Sequence, residues 1–356
     1  MWYSGIFRSK STVRRVAAAA LTTLAIGGVL SPAHAAADSA TCQDVHIPVS
    51  LAGMPETVYA RFCAPAQPTS TVLALVPGGT YTGSYWDLPA NLGLVSFRAG
   101  MNGLGYATLV IDRLGTGRSS RPASALLTTL TQAEVLHQIV GKLRAGEVGP
   151  GYRKVIVGGH SLGAAVSIVE AANHHDVDGV LSAGMTHEFD PVDSITNLVA
   201  ALRPAALDPL LSNRNYDPGY LTTAPGTRQG AFHRPAQPSA AVLAYEESTK
   251  DAFATTEAAD ALGVAAVSPY TILVDTPVLI ALGGQDELYC APPLLVGTDC
   301  SSAAAVHRQE APYYSPGARL RTYLLPGNYG HAFNYAPNAD LFYQAVARWA
   351  DEVVGR

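Results

Sequence analysis

Apolar and polar positions along the chain follow two alternating rhythms. Short, β-branched apolar runs recur at residues 71–76, 107–111, 154–157, 179–182, 277–282 and 320–325, and most of them pass into glycine-rich turns. Continuous apolar runs of this length, bounded by turn residues, predict fully buried parallel strands. Residues 44–51 and 57–62 alternate instead, with Gly53, Met54 and Pro55 between them, which predicts a two-stranded hairpin. Helical spacing fills the gaps between the runs. Thr131-Gln132-Ala133-Glu134 reads as a capping box ahead of residues 135–143, and residues 162–172 follow a glycine turn. Phe342, Val346 and Trp349 share one face of residues 339–354. Strands alternating with helices predict an α/β fold around a mainly parallel sheet.

Two stretches break this rhythm. Residues 185–270 separate two of the predicted strands by far more chain than a crossover needs. They hold Pro204, Pro209, Pro218, Pro225, Pro235 and Pro238 together with Tyr216, Tyr220, Phe232 and Tyr245. We read them as a partly helical insertion over the sheet rather than as a second domain. The other stretch is residues 1–35. Arg8, Lys10, Arg14 and Arg15 precede an apolar run over residues 16–30, and Ala33-His34-Ala35 supplies a small-residue cleavage site. This is the pattern of a secretory signal peptide, and the apolar run is short for a membrane-spanning helix. The Arg14-Arg15 pair leaves the export route open between the general and twin-arginine pathways.

Composition narrows the classes. Of 356 residues 48% are hydrophobic and only 14% charged, which excludes a disordered polymer. Without residues 1–35 the chain carries 19 Lys and Arg against 28 Asp and Glu, a net charge of −9. No basic stripe is present, so nucleic acid is not an expected partner. No later apolar stretch reaches spanning length, so the remaining residues 36–356 are expected to form one soluble, secreted domain with no stable membrane anchor. Cys42, Cys63, Cys290 and Cys300 would then meet an oxidising compartment. Their spacing favours Cys42–Cys63 and Cys290–Cys300 among the three possible pairings. No C-x-x-C occurs, and no metal or cofactor is expected.

One segment carries chemistry. Gly159-His160-Ser161-Leu162-Gly163 fits G-x-S-x-G, a weak pattern alone but here set between a buried strand and a helix of small residues. That context predicts an elbow with the Ser161 hydroxyl above the sheet. Glycine at 159 and 163 would spare clashes with neighbouring backbone. A serine needs a base, and His331 follows the last strand through Pro326-Gly327-Asn328-Tyr329-Gly330. The base needs an orienting carboxylate. Asp286 stands just past the strand at 277–282, with Glu188 or Asp190 as the alternative acid. Oxyanion donors are expected from the amides of Leu162 and Gly79, with Thr80 as the one-residue alternative to Gly79. His160 reads as a packing neighbour, and His46, His137, His174, His175, His187, His233 and His307 fit the base less well.

Together these segments resemble the α/β-hydrolase superfamily over nearly all of residues 36–356. The resemblance rests on Pro77-Gly78-Gly79, on Asp112-Arg113-Leu114-Gly115-Thr116-Gly117-Arg118-Ser119, on the Ser161 elbow and on the loops of Asp286 and His331. It implies an eight-stranded, mostly parallel sheet with a cap inserted after strand six, where residues 185–270 fall. Pro77 departs from the family's usual histidine, which is mainly structural, and Asp112 resembles the family's turn-forming residue rather than a nucleophile. The resemblance further implies an esterase or lactonase acting on an apolar small molecule. An exported peptidase of the proline-aminopeptidase kind is the enzymatic alternative, and a non-catalytic binding protein the alternative of another class. Oligomeric state is not legible.

Overall fold

The computed structural model describes residues 40–266, 270–291 and 296–355. The expected signal peptide, residues 1–35, lies outside the described residues. The strands are β1 Thr41–Leu51, β2 Met54–Ala64, β3 Thr71–Val76, β4 Ala107–Ile111, β5 Lys154–His160, β6 Gly179–Ala183, β7 Leu202–Pro204, β8 Tyr220–Thr223, β9 Phe253–Ala254, β10 Val278–Gly283 and β11 Arg321–Leu325. The helices are α1 Phe97–Gly103, α2 Thr129–Ala145, α3 Leu162–His174, α4 Pro191–Asp193, α5 Ala240–Thr249, α6 Thr255–Ala266, α7 Tyr270–Leu273, α8 Ala303–Glu310 and α9 Asp340–Val353.

Eight strands form one sheet in the order β1-β2-β4-β3-β5-β6-β10-β11. β2 runs antiparallel to both β1 and β4, and every other neighbouring pair is parallel. The central strands β3, β4, β6 and β10 are buried throughout. Their alternate side chains divide between two cores. Val72, Ala74 and Val76 join the core containing α2 and α3, whereas Leu73 and Leu75 join the one containing α1 and α9. A period of two in uniformly apolar strands therefore builds both faces of the sandwich.

The elements depart from the sequence expectations in small ways. The hairpin strands run through Met54 and Pro55, because the left-handed pair Ala52-Gly53, at φ 50° and 82°, turns the chain unaided. Helix α2 begins a turn earlier than its predicted box. Thr128 is the cap and Thr131 closes the box, the Thr131 amide donating to Thr128 Oγ1 at 3.1 Å and the Thr128 amide to Thr131 Oγ1 at 2.9 Å. Helices α1 and α8 have no counterpart in that reading, being too short to show a period. The segment between β6 and β10 is partly helical, with α5 and α6 its longest helices, and β7, β8 and β9 also pair there as a small antiparallel sheet.

Cys42 lies directly opposite Cys63 in the hairpin register and is bonded to it, and Cys290 is bonded to Cys300. Both pairings are those the spacing favours.

Candidate active site

Strand β5 hands the chain to helix α3 through Ser161, whose backbone sits at φ 54° and ψ −120°. A non-glycine residue is strained there, and such strain collects at functional turns. Both flanking glycines are required by contact. A Cβ on Gly159 would lie 1.9 Å from the Gly163 carbonyl oxygen, and one on Gly163 would lie 2.4 Å from that of Val76. The Ser161 amide donates to the Ala183 carbonyl at 2.8 Å, which ties the elbow to β6. Leu162 is the first residue of α3, so its amide has no acceptor within the helix.

Asp286 follows β10 and is fully buried. Its Oδ2 lies 2.8 Å from His331 Nδ1, and its Oδ1 accepts the Leu288 amide at 3.1 Å. His331 is 2% exposed, after the loop that follows β11. A cavity of about 230 Å³ is lined by Ser161, Leu162, Gly79, Thr80 and His331, and by apolar side chains including Phe232 and Phe253. The serine, the histidine and both expected oxyanion residues thus open on one space. The carboxylate stands behind the histidine.

The rival groups are engaged elsewhere. Asp190 Oδ1 caps α4, accepting the amides of Val192 at 2.8 Å and Asp193 at 3.0 Å. Glu188 accepts from Gln309 Nε2 at 2.6 Å. His187 is held by Glu310 Oε2 at 2.7 Å, and His233 by Glu246 Oε2 at 2.6 Å. His160 is a buried neighbour, with Nε2 3.1 Å from the His331 carbonyl oxygen and its ring stacked 4.0 Å from Tyr85. Burial, with His331 close by, holds its pKa well below the usual imidazole value, so the ring stays neutral. Asp112 is the turn-former, with Oδ1 accepting the Gly83 amide at 2.8 Å and Oδ2 the Arg118 amide at 2.9 Å. Burial pushes its pKa up to about 6, against the pull of those two amides.

One group of residues escaped the sequence reading. Thr80 is buried at φ 66°, beside Gly79. Arg228, buried in the segment between β6 and β10, donates to Thr80 Oγ1 at 3.0 Å and to Glu246 Oε1 at 3.1 Å, with its guanidinium 4.2 Å from the Tyr81 ring centroid. Tyr81 donates its hydroxyl to the same Glu246. Burial alone would raise the Glu246 carboxyl, but His233 and Arg228 bring its pKa down to about 2. A charged, hydrogen-bonded cluster therefore braces the glycine turn from the insertion side. A lone Arg and a lone Glu 18 residues apart carry no motif, so the pattern of the sequence held no signal for them.

The second disulfide borders the loop of Asp286. The Cys290 amide donates to the Asp286 carbonyl at 2.6 Å, so the turn carrying the carboxylate runs straight into the Cys290–Cys300 link. Closing a loop of this size stabilises by roughly 3 kcal/mol in the chain-entropy model. Cys290→Ser/Cys300→Ser should lower Tm by several degrees and also lower kcat, measured by calorimetry and ester turnover on the same preparation.

An eight-stranded sheet of this order, with a serine elbow after its fifth strand, defines the α/β-hydrolase class. A model of the Alpha/beta hydrolase family matches residues 73–345, and the chain belongs to that family. No curated protein sequence matches it. Among solved structures it resembles the soluble monoglyceride lipase variant of Saccharomyces cerevisiae at 16% identity and TM-score 0.58, covering 87% of this chain and 96% of that one. It also resembles the enol-lactonase of Burkholderia xenovorans at 16% identity and TM-score 0.54, covering 85% and 99%. A thermophilic esterase of Thermogutta terrifontis is similar at 17% identity and TM-score 0.53, covering 88% and 99%. At these identities the likeness is one of fold.

Proposed function

We propose that the protein is a secreted serine hydrolase that cleaves carboxylic esters or lactones of an apolar small molecule. The observation that carries this reading is the shared cavity of Ser161 and His331, with Asp286 2.8 Å behind the histidine ring. In the mechanism, His331 Nε2 takes the Ser161 proton as the oxygen attacks the ester carbonyl, while Asp286 holds Nδ1–H and stabilises the imidazolium that forms. The amides of Leu162 and Gly79 receive the developing oxyanion. His331 then gives its proton to the leaving alkoxide, and the acyl group stays on Ser161. Water then gives a proton to His331 as its oxygen attacks the acyl carbon, and His331 returns that proton to Ser161 Oγ as the carbon–Oγ bond breaks and the acid leaves.

The apolar lining supports an apolar substrate, and we take residues 185–270 as the cap above it. Among the described residues no carboxylate lines the cavity, and Glu188 and Asp190 are bonded elsewhere. A peptidase that captures a free amine is therefore the weaker reading. Export is supported by two disulfides and by the pattern of residues 1–35. Among the described residues no helix is long and apolar enough to cross a membrane.

A fluorophosphonate probe tests the reading. It should label the intact protein once, with the adduct on the peptide containing Ser161, and p-nitrophenyl esters or lactones should be turned over faster than aminoacyl anilides. An unlabelled Ser161 in folded protein would assign the chain to the non-catalytic binding class. Preferred turnover of the anilides would favour the peptidase.

A further inference from the structure

A second group of chemically capable side chains lies outside the serine's cavity, on α2 and α3. His137 belongs to α2 and Glu170 to α3. Asp176 follows immediately after His175, which caps α3 at φ 53° and turns the chain. One ligand-capable atom from each of the three lies within 4.8 Å of the others. Glu170 is fully buried, and among the described residues neither of its carboxylate oxygens has a hydrogen-bond partner. The buried Nδ1 of His137 and Oδ1 of Asp176 also lack one. His137 Nδ1 stands 2.9 Å from Asp176 Oδ2, but without the alignment of a hydrogen bond. Native proteins leave few buried polar atoms unsatisfied, and here four converge on one point.

The neighbours do not satisfy them. Arg144 donates Nε to the Asp176 carbonyl at 3.0 Å and Nη2 to Asp178 Oδ2 at 2.8 Å, so its charge is already answered. His174 stacks on the His137 ring at 3.8 Å, and its Nε2 is 3.3 Å from Glu134 Oε2. The side chains of His137 and Asp176 are 36% and 27% exposed, which leaves an entry path from solvent to the buried Glu170.

We propose that His137, Glu170 and Asp176 form a binding site for a divalent transition-metal cation, with zinc the best match, linking α2 to α3. One imidazole nitrogen and two carboxylates, with water in the fourth position, suit zinc. Calcium would demand six or more oxygens, more than these three side chains offer. None of the three lines the serine's cavity, so the ion's role is to hold two helices together. The ligands are scattered along the chain with no cysteine among them, which is why a reading centred on cysteine spacing expects no metal. The rival is a proton shared between Glu170 and Asp176, since burial, with Asp176 beside it, pushes the Glu170 carboxyl up to about 9.

The test uses the whole protein, stripped with a chelator and titrated with ZnCl2, with MgCl2 as control. About one zinc per chain should remain after dialysis and raise Tm by several degrees, while magnesium does neither. Glu170→Gln and His137→Ala should each weaken zinc binding by more than about tenfold and lose the rise in Tm. No zinc-dependent rise in the parent protein, or a rise that survives in both variants, would overturn the proposal. So would a Glu170→Gln protein that melts higher than the parent while the parent ignores zinc, since that assigns the shared proton. His137→Ala removes a partly exposed side chain and carries the test should Glu170→Gln fail to fold.

Discussion

Ser161→Ala should abolish ester hydrolysis while leaving the protein folded. In the proposed mechanism the nucleophile and its base act as one unit, and removing the nucleophile from such a unit costs about 10⁴-fold or more in kcat. Folding should be spared for a local reason. Ser161 precedes α3, but its side chain makes no capping bond, so the hydroxyl contributes nothing to the helix. Alanine meets the same strain at φ 54° as serine, and the contacts that force the elbow belong to Gly159 and Gly163. The Tm and circular dichroism of the variant should therefore match those of the parent, and fluorophosphonate labelling should vanish. Residual activity within about tenfold of the parent would remove Ser161 from the mechanism. Lost activity with a collapsed Tm would instead mean that the hydroxyl supports the fold.

Where local physics decided the structure, the sequence was readable. Buried parallel strands announce themselves as continuous apolar runs, because both faces of β3 and β10 are covered. The elbow was legible because its glycines answer contacts with the immediate backbone, Gly159 against Gly163 and Gly163 against Val76. Asp286 and His331 could be proposed because each stands in a loop just past a strand of the same sheet, and the parallel register of β10 and β11 brings those loops together. Long-range pairing was not readable. Arg228 reaches Thr80 across 148 positions, and Tyr81 reaches Glu246 across 165, and no period or motif links such partners. The small sheet of β7, β8 and β9 was missed for the same reason. Its strands span only two to four residues, and each is defined by its partner rather than by its own composition. Helix α2 shows a smaller failure, in which two threonines competed for the cap and the earlier one won because Thr131 could close the box behind it.

Asp286→Asn should cripple turnover far more than Asp190→Asn, and the contrast follows from what each carboxylate holds. Asp286 Oδ2 lies 2.8 Å from His331 Nδ1, inside the protein, where its charge can hold the proton on Nδ1 and leave Nε2 free to accept one from Ser161, as the proposed mechanism requires. An amide in its place can present N–H to Nδ1. That favours the opposite tautomer, in which Nε2 carries the proton and cannot accept another from Ser161. The loss expected from this substitution in a serine triad is on the order of 10⁴-fold in kcat. The fold should tolerate it, since the Asn carbonyl can still accept the Leu288 amide that Asp286 Oδ1 takes at 3.1 Å. Asp190 instead accepts the amides of Val192 and Asp193 at the start of α4, a task asparagine performs about as well. Asp190→Asn should therefore stay within a few-fold of the parent in kcat and Tm. Steady-state kinetics on both variants, with Tm as the control for folding, decides between them. A dead Asp190 variant beside an active Asp286 variant would move the acid from the loop after β10 to the loop after β6 and would require His331 to face a different partner during turnover.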